Sequence, residues 1–205
     1  MVALNNSNKP ILFCDFDGVL CHDKYWQSLP PEENRLIQNL LFGEDRTIVN
    51  DWMRGKYSAE TINEMISQNT GIPYDRLWAT FVSDCQTMRI VDGALEKILC
   101  LRNQFSIILI TGNMDSFTRF TLPALKLDQY FDLISNSFYE GKLKTDNDGQ
   151  IFLDFTDKFN TNIASCFVLD DSPNVCAIFE KLGGQALLVT SKYDLVYHLN
   201  NLLAL

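Results

Sequence analysis

Five short apolar runs, each bounded by polar or turn residues, constrain most strongly what this chain can fold into. They cover residues 11–14, 106–110, 131–134, 166–169 and 186–189. Their apolar character is continuous rather than alternating, which is typical of strands covered on both faces, as in a parallel sheet. Segments with helical periodicity lie between most of the runs, including 93–103, 115–127 and 174–182. The sequence therefore predicts an α/β fold with a doubly wound, Rossmann-like parallel sheet, in which ligands bind at the carboxyl ends of the strands.

The stretch between the first and second predicted strands, residues 21–91, is much longer than a simple crossover requires. It carries several helical patterns. One follows Pro30 and Pro31, a second covers residues 48–53, a third is capped by Ser58, and a fourth covers residues 74–85. We therefore predict a small helical cap over residues 21–91, attached to an α/β core formed by residues 1–20 and 92–205.

Composition narrows the classes of function. A net charge of −9 over 205 residues repels phosphate backbones, so we expect no nucleic-acid partner. A small phosphorylated substrate stays possible, because a bound divalent cation inverts the local field. No apolar run approaches the roughly 20 residues that span a bilayer, and the polar segment 1–9 has no signal-sequence pattern. Six cysteines without a CxxC pair are typical of free thiols in a reducing compartment, so we expect a cytoplasmic protein without a membrane partner.

A strong turn signal follows the third predicted strand. Residues 146–149 read Asp-Asn-Asp-Gly, and the residues on either side can pair as strands. Because Asp-Gly between such residues favours tight hairpin turns, the sequence predicts a small β-hairpin over residues 140–152.

The first predicted strand ends in two carboxylates separated by one residue. Asp15 can attack as a nucleophile, and Asp17 can turn toward the leaving oxygen and exchange protons with it. Gly18 permits the sharp bend that must follow. An Asp-x-Asp-Gly segment also occurs in calcium loops, but Leu20 and Trp26 are not the residues that such a loop requires at their positions. The pattern therefore favours catalysis over a calcium loop.

Two further clusters follow the ends of other predicted strands. Asp170 and Asp171 follow the fourth, where adjacent acids are costly unless a cation lies beside them, and their oxygens suit Mg²⁺. Taken alone, they could also cap the next helix. Thr111, Gly112 and Asn113 follow the second strand, where a hydroxyl and main-chain amides can form a phosphate cradle. This second signal is weak by itself, since Thr-Gly-Asn is also a common turn.

Taken together, the three clusters resemble the haloacid dehalogenase-like (HAD) superfamily. The resemblance rests on Asp-x-Asp-Gly, Thr-Gly-Asn and Asp-Asp-Ser, each after a successive predicted strand, and it covers nearly the whole chain. The family also places a helical cap where residues 21–91 lie. Members that cleave carbon–halogen bonds lack the second Asp of the first cluster, so the presence of Asp17 favours phosphorus chemistry.

The resemblance implies a role for each residue. Asp15 would attack phosphorus to form an aspartyl-phosphate, and Asp17 would protonate the leaving alcohol and then activate water. One Asp15 oxygen, the Asp17 main-chain carbonyl and the pair Asp170 and Asp171 would hold Mg²⁺. The phosphoryl oxygens would be held, next to Gly18, by Thr111 and by the main-chain amides of Gly112 and Asn113.

The family also draws a lysine from before the fourth strand to bridge the nucleophile and the phosphate. Two lysines compete for this role. Lys144 begins a Lys-Thr-Asp segment but falls inside the predicted hairpin. Lys158 follows Thr156, which can cap a short helix leading toward the fourth strand. On this basis the sequence favours Lys158 as the active-site lysine.

The leading hypothesis is thus a Mg²⁺-dependent phosphatase acting on a small phosphomonoester. A phosphomutase acting on a sugar phosphate would use the same two carboxylates. A catalytically idle binding protein on the same fold is the third hypothesis, which the intact Asp15, Asp17, Thr111 and Asp171 disfavour. The predicted cap carries no signature for a particular substrate.

Overall fold

The structure, a computed structural model, describes residues 9–205. Its centre is a parallel sheet of five strands: β1 (Ile11–Cys14), β2 (Ser106–Thr111), β3 (Leu133–Asn136), β4 (Phe167–Asp170) and β5 (Gln185–Leu188). The order across the sheet is β3-β2-β1-β4-β5, with β1 paired to both β2 and β4. The predicted doubly wound α/β fold is confirmed. The predicted polar tail lies outside the described residues, apart from Lys9.

The continuous apolar character of β1 reflects burial on both faces of the sheet. Leu12 and Cys14 join a large cluster that extends into the helices between β1 and β2. Ile11 and Phe13 face a second cluster on the other side, where the Phe13 ring lies 5.1 Å from the Phe152 ring. Each burial removes apolar surface from water and stabilises the sheet from both sides.

Four α-helices lie within residues 21–91, as predicted: α1 (Pro31–Phe42), α2 (Thr47–Met53), α3 (Ala59–Thr70) and α4 (Tyr74–Gln86). The Ser58 hydroxyl caps α3 by accepting a hydrogen bond from the Thr61 amide at 3.3 Å. Their centre is aromatic, with the rings of Trp26 and Phe81 stacked at 4.6 Å. That the segment is a separate cap domain stays a prediction.

The remaining helices cover the two faces of the sheet. They are α5 (Ala94–Leu101), α6 (Leu122–Leu125), α7 (Ser137–Glu140), α8 (Gln150–Lys158), α9 (Pro173–Lys181) and α10 (Leu195–Leu203), with a π-helical segment, Phe117–Thr121, directly before α6. Within residues 9–205 no helix is long and apolar enough to cross a membrane. All six cysteines are free, and only Cys100 is exposed.

The predicted hairpin over residues 140–152 is wrong. Asn147 and Asp148 do adopt left-handed backbone conformations, with φ of 52° and 54°, but the turn joins α7 to α8 instead of joining two strands. The reason is the periodicity after the turn. Ile151, Phe152 and Phe155 recur at helical spacing and bury one face of α8 against the sheet.

Candidate active site

The chain turns sharply after β1, and this turn places the first pair of carboxylates. The Phe16 carbonyl accepts hydrogen bonds from the amides of Leu20 and Cys21 at 2.9 and 3.0 Å. Gly18 adopts φ +75°, and a Cβ atom added to it would lie 2.2 Å from Asp171 Oδ2. Only glycine therefore allows the end of β4 to approach this turn so closely.

The prediction that Lys158 is the active-site lysine is wrong, because the structure places Lys144 between Asp15 and Asp170. Lys144 Nζ lies 2.5 Å from Asp15 Oδ2 and 2.5 Å from Asp170 Oδ2, and its side chain is buried. Lys158 occupies the last turn of α8 and is exposed. Thr156 lies inside α8 and does not cap a helix that begins at Lys158. The error follows from the hairpin prediction, because a lysine in a hairpin that stands off the sheet would point away from the ends of β1 and β4.

The loop that carries Lys144 is fixed by its neighbours. The Leu143 amide donates to Asp146 Oδ2 at 2.9 Å. Arg54, which follows α2, donates to both oxygens of the same carboxylate, at 2.8 and 3.0 Å. The helical segment 21–91, called the insert below, therefore contacts the loop beside the buried lysine.

Three carboxylates converge at the carboxyl ends of β1 and β4. Asp15, Asp170 and Asp171 can each offer one oxygen such that these oxygens lie within 4.8 Å of one another. Asp170 is held in place, since its Oδ1 accepts from the Ser172 amide at 2.9 Å, while Asp171 is exposed. The carboxylate of Asp17 lies outside this set.

The electrostatics of this set fit a divalent cation. Burial raises the pKa of Asp15 despite the opposing effect of Lys144. Burial and the nearby Asp170 likewise raise the pKa of Asp171. Burial alone would lower the pKa of Lys144, but Asp15 and Asp170 raise it, so the lysine stays charged. One ammonium leaves negative charge uncompensated, and clustered oxygen donors with excess negative charge suit Mg²⁺.

Asp17 belongs to a separate hydrogen-bonded chain. Asn113 Nδ2 donates to Asp17 Oδ2 at 2.8 Å, and the buried Tyr25 hydroxyl donates to Asn113 Oδ1 at 2.7 Å. Burial, and then the charge on Asp15, raise the pKa of Asp17 to about 7. A carboxyl group with this pKa can carry a proton near neutral pH and exchange it during a reaction.

The residues of the predicted phosphate cradle lie at and just after the end of β2. Thr111 is buried at the end of β2, and Gly112 lines the adjoining cavity. The Asn113 amide donates to Ser137 Oγ at 3.0 Å, and its role as a phosphate donor stays a prediction. The Asn113 side chain connects to Asp17.

Tyr25 and Ser137 were missed by the sequence reasoning. The Ser137 hydroxyl also lies 2.7 Å from the Met53 carbonyl, at the end of α2. Both residues are ordinary in their sequence contexts, and no spacing pattern connects either to Asn113. For Lys144 a signal existed in the Lys-Thr-Asp segment.

A cavity of about 450 Å³ opens beside the turn after β1. Asp17, Gly18 and Gly112 line it at the sheet. Its other walls come from the segment after the turn, from α1 and α2 with the loop between them, and from Met114. This volume is typical of a site for a small molecule.

No family model and no curated protein matches the sequence. Solved structures do match. A HAD-like family hydrolase from Porphyromonas gingivalis superposes with a TM-score of 0.72 at 20% identity, covering 96% of this chain and 98% of the other. A HAD family enzyme from Bacteroides thetaiotaomicron, solved with magnesium and inorganic phosphate, gives a TM-score of 0.67 at 18% identity, covering 91% and 96%. The chain has the HAD fold.

Dehalogenases share this HAD fold. The 2-haloacid dehalogenase from Pseudomonas syringae matches with a TM-score of 0.61 at 14% identity, covering 96% of this chain and 98% of the other. The fold therefore accommodates both phosphate-bound and carbon–halogen-cleaving enzymes. The side chains at the ends of β1 and β4 must decide between the two chemistries.

Proposed function

We propose that the protein is a Mg²⁺-dependent phosphohydrolase that cleaves a small phosphomonoester through an aspartyl-phosphate on Asp15. One observation carries the proposal: a second carboxyl group, Asp17, lines the cavity next to the nucleophile with its pKa raised to about 7. An alcohol leaving group needs a proton, whereas a halide does not. A carboxyl group poised to give that proton favours phosphate-ester cleavage over dehalogenation.

Asp15 is positioned as the nucleophile. Its Oδ1 accepts from the Phe16 amide at 2.8 Å, and its Oδ2 contacts Lys144 at 2.5 Å, so the side chain is held from both oxygens. Burial raises the pKa of Asp15, and the ammonium of Lys144 opposes that rise and favours the ionised carboxylate. An ionised, fixed carboxylate can attack phosphorus with little reorganisation.

Asp17 is positioned as the acid and base. The hydrogen bond from Asn113 holds its Oδ2, and Oδ1 would exchange the proton. In the first step the protonated carboxyl donates to the departing alkoxide. In the second step the carboxylate takes a proton from the water that attacks the phosphorus of the aspartyl-phosphate.

Charge neutralisation completes the proposed site. Asp15, Asp170 and Asp171 would hold Mg²⁺, which when bound would offset the charge of the phosphoryl oxygens. Lys144, the Thr111 hydroxyl and the Gly112 amide would bind the same oxygens. The neighbouring HAD structure with magnesium and inorganic phosphate supports this arrangement.

The test compares two reactions in one preparation. With Mg²⁺ the protein should release phosphate from para-nitrophenyl phosphate, excess chelator should abolish that release, and added Mg²⁺ should restore it. Asp15→Asn should remove it as well. Chloropropionate should yield no chloride. Chloride release without phosphate release would assign the site to dehalogenation instead.

A further inference from the structure

Arg46 differs from every other arginine of the chain. Each of the others makes an ion pair with a carboxylate of the fold: Arg35, Arg54, Arg76, Arg89, Arg102 and Arg119. Within residues 9–205 Arg46 makes none, although the acidic side chains outnumber the basic ones. Its neighbour Asp45 is engaged elsewhere, accepting from the Thr47 amide at 2.9 Å.

Arg46 also lines the cavity beside the turn after β1. It lies in the loop between α1 and α2, with its guanidinium carbon 5.8 Å from the centroid of the Phe42 ring, which lines the cavity too. An aromatic face can hold a guanidinium in place without neutralising it. The fork of N–H donors therefore stays available at the cavity wall.

The other lining residues leave this positive charge uncompensated. Asp17 belongs to the reaction centre, and both oxygens of Asp23 are already bound by Arg89. Lys24 adds a second cation that makes no ion pair in the described chain. The remaining walls are partly apolar, including Val49 and Met53.

We propose that the alcohol part of the substrate carries its own anionic group, a carboxylate or a second phosphate, which Arg46 binds. This inference rests on the proposed phosphohydrolase function, because it concerns the leaving alcohol, the part of the substrate that Asp17 would protonate. A cavity of about 450 Å³ has room for a small leaving group of this kind. A planar carboxylate, or two oxygens of a tetrahedral phosphate, can accept two parallel hydrogen bonds from the guanidinium fork.

Two non-hydrolysable ligands test the binding step without any turnover. Phosphonopropanoate and hydroxypropylphosphonate have similar size and the same phosphonate, but only the first carries a carboxylate. In titration calorimetry with Mg²⁺, we expect the wild type to bind the carboxylate ligand at least about tenfold more tightly. Arg46→Gln should lose this preference, and Arg46→Lys should keep part of it. Arg35→Gln, on the exposed face of α1, should behave as wild type.

Equal binding of the two phosphonates by the wild type, binding of neither, or a preference that survives in Arg46→Gln would each overturn the proposal. Hydrolysis of phosphoglycolate and hydroxyethyl phosphate provides the parallel assay, in which Arg46→Gln should lower kcat/KM for phosphoglycolate alone. If neither ester is hydrolysed while the phosphonate preference follows Arg46, the proposed reaction fails and the anion site stands.

Discussion

At the residue scale, one buried ammonium organises the site. Lys144 contacts the proposed nucleophile on β1 and a candidate metal ligand on β4, so it joins the two strands whose ends form the reaction centre. A buried cation between two carboxylates compensates charge that would otherwise be costly to remove from water. Lys144 therefore serves the folded state and the proposed reaction together.

Replacing the two competing lysines separates their roles. Lys144→Ala should lower phosphatase kcat on the order of a hundredfold or more, because it removes a donor to the transferred phosphoryl group. It should also lower the melting temperature, since Asp15 and Asp170 lose their partner. Lys158→Ala, the exposed control, should change neither quantity. Steady-state kinetics and thermal melts measure both quantities. A larger loss of kcat in Lys158→Ala than in Lys144→Ala would contradict the assignment of Lys144 to the active site.

A pair of glycines tests the close approach of Asp171. Gly18 and Gly93 have φ of +75° and +74°, so alanine at either position should cost a similar 1–2 kcal/mol or so of backbone strain. Only at Gly18 would the new Cβ collide with Asp171; at Gly93 nothing lies within 4 Å. Gly18→Ala should therefore raise the Mg²⁺ concentration needed for half-maximal activity, while Gly93→Ala should not. Equal Mg²⁺ requirements would show that this approach is unimportant.

At the element scale, the sequence predicts what depends on local periodicity. The strands and the helices of the insert follow from apolar spacing and from caps such as Ser58. The hairpin failed because a left-handed turn is compatible with strands or helices, and only the spacing of Ile151, Phe152 and Phe155 distinguishes them. Long-range hydrogen bonds, such as that of Tyr25 to Asn113, leave no local pattern.

Asp115 illustrates the same limit. It stands first in the predicted helix 115–127, a position where an Asp is typically read as an N-cap. In the structure its carboxylate instead accepts from Trp52 Nε1 at 2.8 Å and from the Ala59 amide at 3.2 Å, and it pairs with Arg119. Asp115 thus binds the start of α3 to the core, a tertiary role that its sequence position does not reveal.

The ion pair between Glu60 on α3 and Arg119 gives this junction a pH dependence. Hydrogen bonding to Arg119 lowers the pKa of Glu60 to about 2 from a usual value near 4.5. A lowered folded-state pKa means that the stabilisation is present above pH 4.5 and is lost as the pH falls toward 2. Because the Glu60 side chain is 39% exposed, the effect should not exceed about 1 kcal/mol.

Chemical denaturation of the wild type and Glu60→Gln measures this contribution. The difference in unfolding free energy should be largest near pH 6 and should shrink as the pH falls below 4.5. Glu64→Gln, one turn further along α3, is the control. If this difference in unfolding free energy instead grew as the pH fell, the Glu60–Arg119 ion pair would not be its cause.

At the scale of the whole molecule, the insert and the sheet form the candidate active site together. The larger apolar cluster runs without a break from β1 through the aromatic centre of the insert. Polar contacts reinforce it beside the site, where Tyr25 binds Asn113 and Arg54 binds Asp146. The insert thus contacts Asn113 and the Lys144 loop and supplies cavity walls, so in the proposed function it would connect substrate selection to the catalytic residues.

Trapping the phosphorylated protein tests the central claim most directly. Rapid acid quenching during turnover of para-nitrophenyl phosphate with Mg²⁺, followed by peptide mass mapping, should locate a phosphoryl adduct on Asp15. Asp17→Asn should accumulate the adduct, because water is no longer activated while the aryl leaving group needs little protonation. Asp15→Asn should show none. Phosphate release with no adduct, or with an adduct on another residue, would contradict the account.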